Sequence, residues 1–317
     1  MRENTTGHII RNWKPEYAEK FGNESLHLQH SLHKSELFTD ERLANLIEKA
    51  ERSHYHVNTR AAGADGKKRR REGEFGKLSG MDILETVKTG DIWINLRAPQ
   101  IADSAYGDLL ADMYAEFEAR VPDLKTFKQG TTILISSPNA YVPYHCDVPG
   151  QMLWQIRGRK RVWLYPAKEP FLTQEAIEKL IIGEFHETDM VYDEAFDKAA
   201  DAIDLEPGYM LHWPLNFPHR VENYDCLNVS VTTEHYTAPI RTSYAVNYAN
   251  GLLRKAGLKA PKRQTSGLIA AAKTGLAGAV KFSGIRNKAA KPYTIDFQVD
   301  PTAPHGVRDI EPYQLKL

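Results

Sequence analysis

The sequence predicts a mainly β protein with flanking helices, its core a jelly roll or β-sandwich. Six or more short runs rich in β-branched and aromatic residues fall between Thr131 and Thr233, separated by Pro, Gly and Asn. Helix-period apolar stripes precede these runs, and a small-residue-rich segment follows them. The 317 residues are 42% hydrophobic and 26% charged, which suits a globular chain and excludes a disordered or fibrous one.

In chain order, Leu43, Leu46, Ile47 and Ala50 recur at helical spacing, predicting a helix from Thr39 to Ala50 with Thr39 or Asp40 as cap. The glycine-rich, charged stretch from Ala61 to Gly80, which contains a KKRRR run, reads as an exposed loop. Ser104 to Arg120 predicts a second helix, with Tyr106, Leu109, Leu110, Met113 and Phe117 on one stripe. Thr131–Ile135 reads as a strand ended by the Pro138-Asn139 turn. Met152–Ile156 and Arg161–Tyr165 read as a hairpin turning near Gly158. Ala167–Glu206 reads as a helical insert whose first helix Thr173 caps, and strand texture returns at Gly208–Trp213 and Asn228–Thr233. Ser266–Lys281 is a candidate amphipathic helix weakened by its glycines.

These readings divide the chain into a helical N-terminal region (1–125) buttressing a β core (126–237), which carries the insert at 167–206, and a basic C-terminal extension (238–317). Lys plus Arg equals Asp plus Glu at 41 each, but the charges are unevenly placed. No acid occurs from His235 to Ile295, a stretch with eleven basic residues, whereas Ala167–Glu206 sets twelve acids against three lysines. Either the two segments neutralise each other, or the extension meets an anionic partner. No apolar run is long enough to span a membrane. The polar start and the two cysteines, Cys146 and Cys226, give a cytoplasmic location as the expectation.

The chemistry centres on His145 and Asp147, two apart, which leave the same face of a strand and form an adjacent imidazole and carboxylate. Such a pair alone says little, since chance supplies about one or two to a chain of this composition. His219, on a later strand beginning after Pro218, would complete a 2-His-1-carboxylate set, the ligand pattern of non-haem Fe(II) oxygenases. His212 is a competing third ligand. His54 and His56 share a face but lack a carboxylate at matching spacing, and read as surface residues. Cys146, between the two ligands, should point into the opposite side of its strand as a core thiol, and Trp154 and Gln155 either line the pocket or pack beneath it.

From Thr131 to Tyr165 and from Glu206 to Glu234 the sequence resembles the JmjC and cupin-like 2-oxoglutarate oxygenases, especially the subgroup like the asparaginyl hydroxylase that inhibits hypoxia-inducible factor. The resemblance implies a double-stranded β-helix core, and Fe(II) held by His145, Asp147 and His219. It also implies 2-oxoglutarate as cosubstrate, its far carboxylate on Lys160, fifteen residues past His145. Strand parity puts Lys160 with Val162 and Leu164, opposite Arg161, Trp163 and Tyr165; Arg159 is a rival anion anchor. The family's threonine three residues before the first histidine is Val142 here, so a hydroxyl from Tyr141, Tyr144 or Thr132 is expected to take its place. The activity implied is hydroxylation of a polypeptide side chain or a small molecule, and the resemblance also implies pairing as a homodimer; the alternative is a cupin-fold binding or regulatory protein without turnover.

Overall fold

A computed structural model describes residues 8–62, 68–185, 189–259, 261–282 and 292–316. The centre of the fold is eight strands whose chain switches between two sheets. β5 (Phe127–Ser136), β7 (Gly150–Arg157), β10 (Tyr209–His212) and β12 (Asn228–Tyr236) belong to a large sheet. β6 (Tyr141–His145), β8 (Lys160–Leu164), β9 (Asp201–Leu205) and β11 (His219–Asn223) form a second, four-stranded one in the order β6-β11-β8-β9. Leu153 and Leu211 of the large sheet pack with Val162, Leu164, Leu205 and Val221 of the small one, so the interior between the sheets is a double-stranded β-helix.

The expected hairpin between Met152–Ile156 and Arg161–Tyr165 is therefore corrected. β7 pairs with β10 and β12, whereas β8 pairs with β11 and β9. The turn at Gly158 carries the chain across the barrel rather than back along one sheet. Gly158 has φ +71°, and a Cβ there would lie 2.1 Å from the Leu227 carbonyl oxygen, so only glycine fits.

The large sheet has ten strands because the N- and C-terminal regions supply six more. β1 (Leu26–Gln29) adds to β10 at one side, and β4 (Trp93–Arg97), β2 (Tyr55–Ala62) and β3 (Lys68–Glu74) extend it beyond β5. The N-terminal region thus contributes strands as well as helices. It also corrects the exposed-loop reading of Ala61–Gly80, since Lys68–Glu74 is a strand; part of that stretch lies outside the described residues. Arg71 of the basic run bonds Asp296 at 3.0 Å and Asp309 at 2.6 Å. These partners lie on β13 (Tyr293–Val299) and β14 (Val307–Leu315), which complete the sheet beside β3. The end of the C-terminal extension is accordingly part of the main sheet.

Helices cover the outer face of the large sheet. α2 (Asp40–Lys49) starts at Thr39, whose Oγ1 accepts the Arg42 amide at 3.3 Å. Leu43, Leu46 and Ile47 of α2 join Tyr106, Leu110, Met113 and Phe117 of α4 (Ala105–Arg120) in one cluster. α3 (Gly80–Thr89) adds Ile83, Leu84 and Val87, and the sheet contributes Ile133, Ile135 and Trp154 from its outward parity. The short α1 (Tyr17–Lys20) precedes all of these.

α5 (Gln174–Ile182) and α6 (Ala238–Lys255) pack on each other just beyond the end of β6, where Cys146 and Val148 join their cluster. Thr173 and Thr237 cap these two helices. Arg254 of α6 bonds the wholly buried Glu178 of α5 at 2.7 Å, and Lys255 bonds Glu184 at 2.7 Å. Part of the charge asymmetry is therefore settled inside the fold, at the contact between insert and extension. α7 (Gly267–Phe282), at the place of the candidate amphipathic helix, packs on α6.

Three histidines away from the site, His30, His212 and His235, are 2% exposed, and burial holds each pKa down to about 4. The unfolded chain, with these groups near 6.5, binds more protons between those values, so stability is lost as pH falls from about 6.5 toward 4. Urea midpoints should accordingly drop between pH 7 and pH 5, each histidine contributing on the order of 1–2 kcal/mol. A His235→Gln variant should show a shallower pH dependence than the wild type, and an equal slope would remove His235 from the account.

Candidate metal centre

His145 ends β6 and His219 begins β11, and the two are direct partners across that strand pair. Their inward aim depends on an irregularity. Val221 pairs with Val142 while His219 pairs with His145, so β6 has one residue more than β11 over that interval. The extra residue reverses parity, letting Val142 and His145 both face the interior while Tyr144 turns out. Asp147 follows two residues later on the same side as His145.

The ligand atoms of His145, Asp147 and His219 all lie within 4.8 Å of one another. Nε2 of His219 is 3.4 Å from Asp147 Oδ2, and the two imidazole rings are 4.1 Å apart between centroids. His145 Nδ1 is 2.7 Å from the Pro143 carbonyl and His219 Nδ1 is 3.0 Å from that of Phe217. Nδ1–H donation to those oxygens leaves both Nε2 lone pairs free toward Asp147. Among the described residues this is the one His/Cys/Asp/Glu group with metal-ligand spacing.

Electrostatics favour a cation in the same place. Burial, together with the neighbouring His145, keeps His219 well below its ordinary pKa and therefore neutral. Burial raises the Asp147 carboxyl, opposed only by His145, and no lysine or arginine pairs with it among the described residues. A half-buried carboxylate beside the neutral imidazole of His219, with no lysine or arginine partner among the described residues, lacks a countercharge that a divalent metal would supply. Two nitrogens and one oxygen on one side, with the remaining directions open, fit Fe(II).

Lys160 is 4% exposed at the start of β8, opposite Asn223 of β11, on the interior side with Val162 and Leu164. Since Leu164 is opposite His219, the lysine sits four residues along from the metal ligands, about 13 Å by strand rise before its own reach is counted. Burial lowers its pKa to about 8. Arg161, Trp163 and Tyr165 face the other way: Arg161 bonds Asp204 at 2.7 Å, Arg220 stacks on Trp163, and Tyr165 bonds Asp197.

Other candidates fall outside the site. The Tyr144 hydroxyl donates to the Phe171 carbonyl at 2.7 Å on the outer side of the small sheet, among Tyr165, Tyr192 and Phe196. Arg159 is bonded to Asp204 at 2.8 Å and lies 3.6 Å from Glu206, at the surface. Neither reaches the interior, so both expectations are corrected. His212 lies on the outer face, stacked on Phe21 at 4.1 Å; its Nδ1 meets the Gln151 carbonyl and its Nε2 accepts the Gly22 amide. With both nitrogens occupied it is no ligand. His56 is buried rather than superficial, its Nδ1 2.8 Å from Glu72. Cys146 packs with Leu172, Ile177 and Tyr248 on the outer side, as a core thiol should. Trp154 packs beneath the sheet against Phe117, and Gln155 bonds Asn228 and Ser230. Val142, at the family's threonine position, packs with the apolar interior.

Two supports were not read from the sequence. Asn216, at φ +61°, donates to the Asp147 carbonyl oxygen at 2.6 Å and ties the loop before β11 to the ligand loop. The Trp213 ring lies 4.8 Å from that of His219. An asparagine inside Pro-Leu-Asn-Phe-Pro is a turn signal, and only its long-range bond makes it part of the centre.

Residues 8–239 match the cupin-like domain family. HSPB1-associated protein 1 of Homo sapiens is 33% identical over 113 residues, 33% of this chain and 23% of that protein; the Rattus norvegicus protein is 32% identical over the same length. The chain thus matches less than a quarter of these relatives' length. Among solved structures, the ribosomal oxygenase YcfD of Escherichia coli in complex with cobalt and 2-oxoglutarate is 16% identical, with a TM-score of 0.48, covering 89% of this chain and 69% of that one. No described helix is long and apolar enough to cross a membrane. With its double-stranded β-helix and a family match over most of its length, the chain belongs to the cupin-like domain family.

Proposed function

We propose that this chain is an Fe(II)- and 2-oxoglutarate-dependent oxygenase that hydroxylates a polypeptide side chain or a small molecule. The observation that carries the reading is the convergence of His145, Asp147 and His219 on the inside of a barrel whose same inward face bears Lys160. Bound there, Fe(II) supplies the redox chemistry that couples oxidative decarboxylation of 2-oxoglutarate to oxidation of a substrate C–H bond. The protein's own contribution is positional. Carbonyls of Pro143 and Phe217 fix the two imidazoles, and Asn216 fixes the loop of Asp147. Lys160 offers a desolvated ammonium to the far carboxylate of the cosubstrate, and Leu153, Val162 and Leu164 keep water out. Anaerobic titration with Fe(II) and then 2-oxoglutarate should produce the visible charge-transfer band of the ternary complex; its absence overturns the reading.

One observation favours a binding protein without turnover: Val142 presents no hydroxyl where the family has threonine. The two readings part on aerobic incubation, where the oxygenase forms succinate and a binding protein forms none.

Asp147→Ala should abolish stoichiometric Fe(II) binding while the variant keeps its circular dichroism, because one of three ligands is gone and the side chain holds no element of the fold. A His212→Gln variant, by contrast, should lose stability yet keep its iron. Equal iron affinity in Asp147→Ala would end the triad assignment.

Lys160→Ala should weaken 2-oxoglutarate binding by about 3–5 kcal/mol, the usual cost of leaving a buried charge alone, with little change for iron. The wild-type lysine is charged below about pH 8 and neutral above it. Since the ligand needs the charged form, affinity should hold below that value and fall by up to about tenfold per pH unit above it. Isothermal titration of Lys160→Arg should show that fall abolished, and a pH-independent wild type would exclude Lys160 as the anchor.

A further inference from the structure

We propose that α7 and the basic residues flanking it form a docking surface for an anionic lipid bilayer. α7 buries Ala270 and Lys273 and packs Ala277 and Val280 against the α5–α6 layer. Lys273 fixes its rotation, its ammonium bonded to Asn250 Oδ1 and to the Lys262 carbonyl. What then faces solvent is apolar. Leu268 is 90% exposed, Ile269 41% and Leu276 39%, alongside the exposed Ala271, Ala272 and Ala279. No charge interrupts that face before Lys281.

The surroundings are of one sign. Lys259, Lys262 and Arg263 are exposed just before the helix, Lys281 is exposed near its end, and none is paired with a carboxylate among the described residues. The sequence from His235 to Ile295 contains no acid at all. Arg254 and Lys255, which do have partners, are drawn to the acidic insert and leave the α7 flank cationic. An apolar helix face rimmed by lysine and arginine is complementary to a surface that offers acyl chains beneath negative headgroups. A second copy of this chain would bring like charge against like charge, and an acidic protein would leave the leucines without a matching apolar layer.

Full-length protein should co-sediment with phosphatidylcholine vesicles containing 30% phosphatidylglycerol at low salt. It should stay in the supernatant with pure phosphatidylcholine, and release from the anionic vesicles as salt is raised. Leu268→Asp should lower the partition coefficient at least tenfold with thermal unfolding unchanged, since that side chain stands almost wholly in solvent. Lys262→Glu/Arg263→Glu should weaken it separately. Equal partition of the leucine variant and the wild type overturns the proposal. So does a wild type that stays in the supernatant, or one that sediments as a dimer which the leucine variant converts to monomer.

Discussion

The site depends on one mismatch of register in β6. A strand alternates faces strictly, so Val142 and His145, three apart, would point to opposite sides of a regular ladder. The extra residue opposite β11 lets both face inward and sends Tyr144 outward. Without it the imidazole would meet the aromatic layer of Tyr165, Tyr192 and Phe196 instead of His219. Pro143 sits at this point, where the missing amide donor costs the ladder least, and its carbonyl orients the His145 ring. One backbone irregularity therefore sets both the direction of the first ligand and its tautomer.

Desolvation then does different work on each group that faces the interior. It favours neutral imidazole at His219, leaving a lone pair for a metal, and raises the energy of the Asp147 carboxylate, which a bound cation would repay. At Lys160 the same burial lowers the ammonium's pKa to about 8, so the charge is retained near neutrality but only just. A carboxylate arriving there meets a cation that water has not screened. The outer face of the small sheet shows the contrasting solution: Arg220 stacked on Trp163 and bonded to Asp197, with Tyr165 and Tyr192 completing the set. That network is satisfied internally and has nothing left to offer a ligand.

How far the sequence could be read follows from which interactions are local. The Thr39 cap, the α4 stripe, the same-face placement of His145 with Asp147, and the inward parity of Lys160, Val162 and Leu164 each rest on neighbours within a few residues. The places of Tyr144 and Arg159 are not legible locally, because they are decided by Phe171 and by Asp204, 27 and 45 residues away. The crossing at Gly158 is illegible for the same reason, since a turn at glycine looks alike whether the next strand rejoins its own sheet or crosses to another. β3 was hidden for a further reason: a run of lysines and arginines lacks the apolar alternation of a strand. It is tolerated there because Arg71 is neutralised by two acids from strands more than 200 residues later.

That last contact changes the meaning of the C-terminal region. Its two ends are integrated, α6 through the wholly buried Glu178 and β13–β14 through the main sheet, and α7 lies between these anchors. A helix held at both flanks and pinned by a buried lysine has its orientation set by the fold, not by its own exposed residues. Leu268, almost wholly in solvent, gains nothing for the monomer's stability there, since burial was available along the same helix at Ala270 and Ala277. Larger residues outside and smaller ones inside is the reverse of what folding alone would favour. The apolar face of α7 is thus accounted for by the proposed bilayer contact, and the proposed iron chemistry belongs to the barrel between the two sheets.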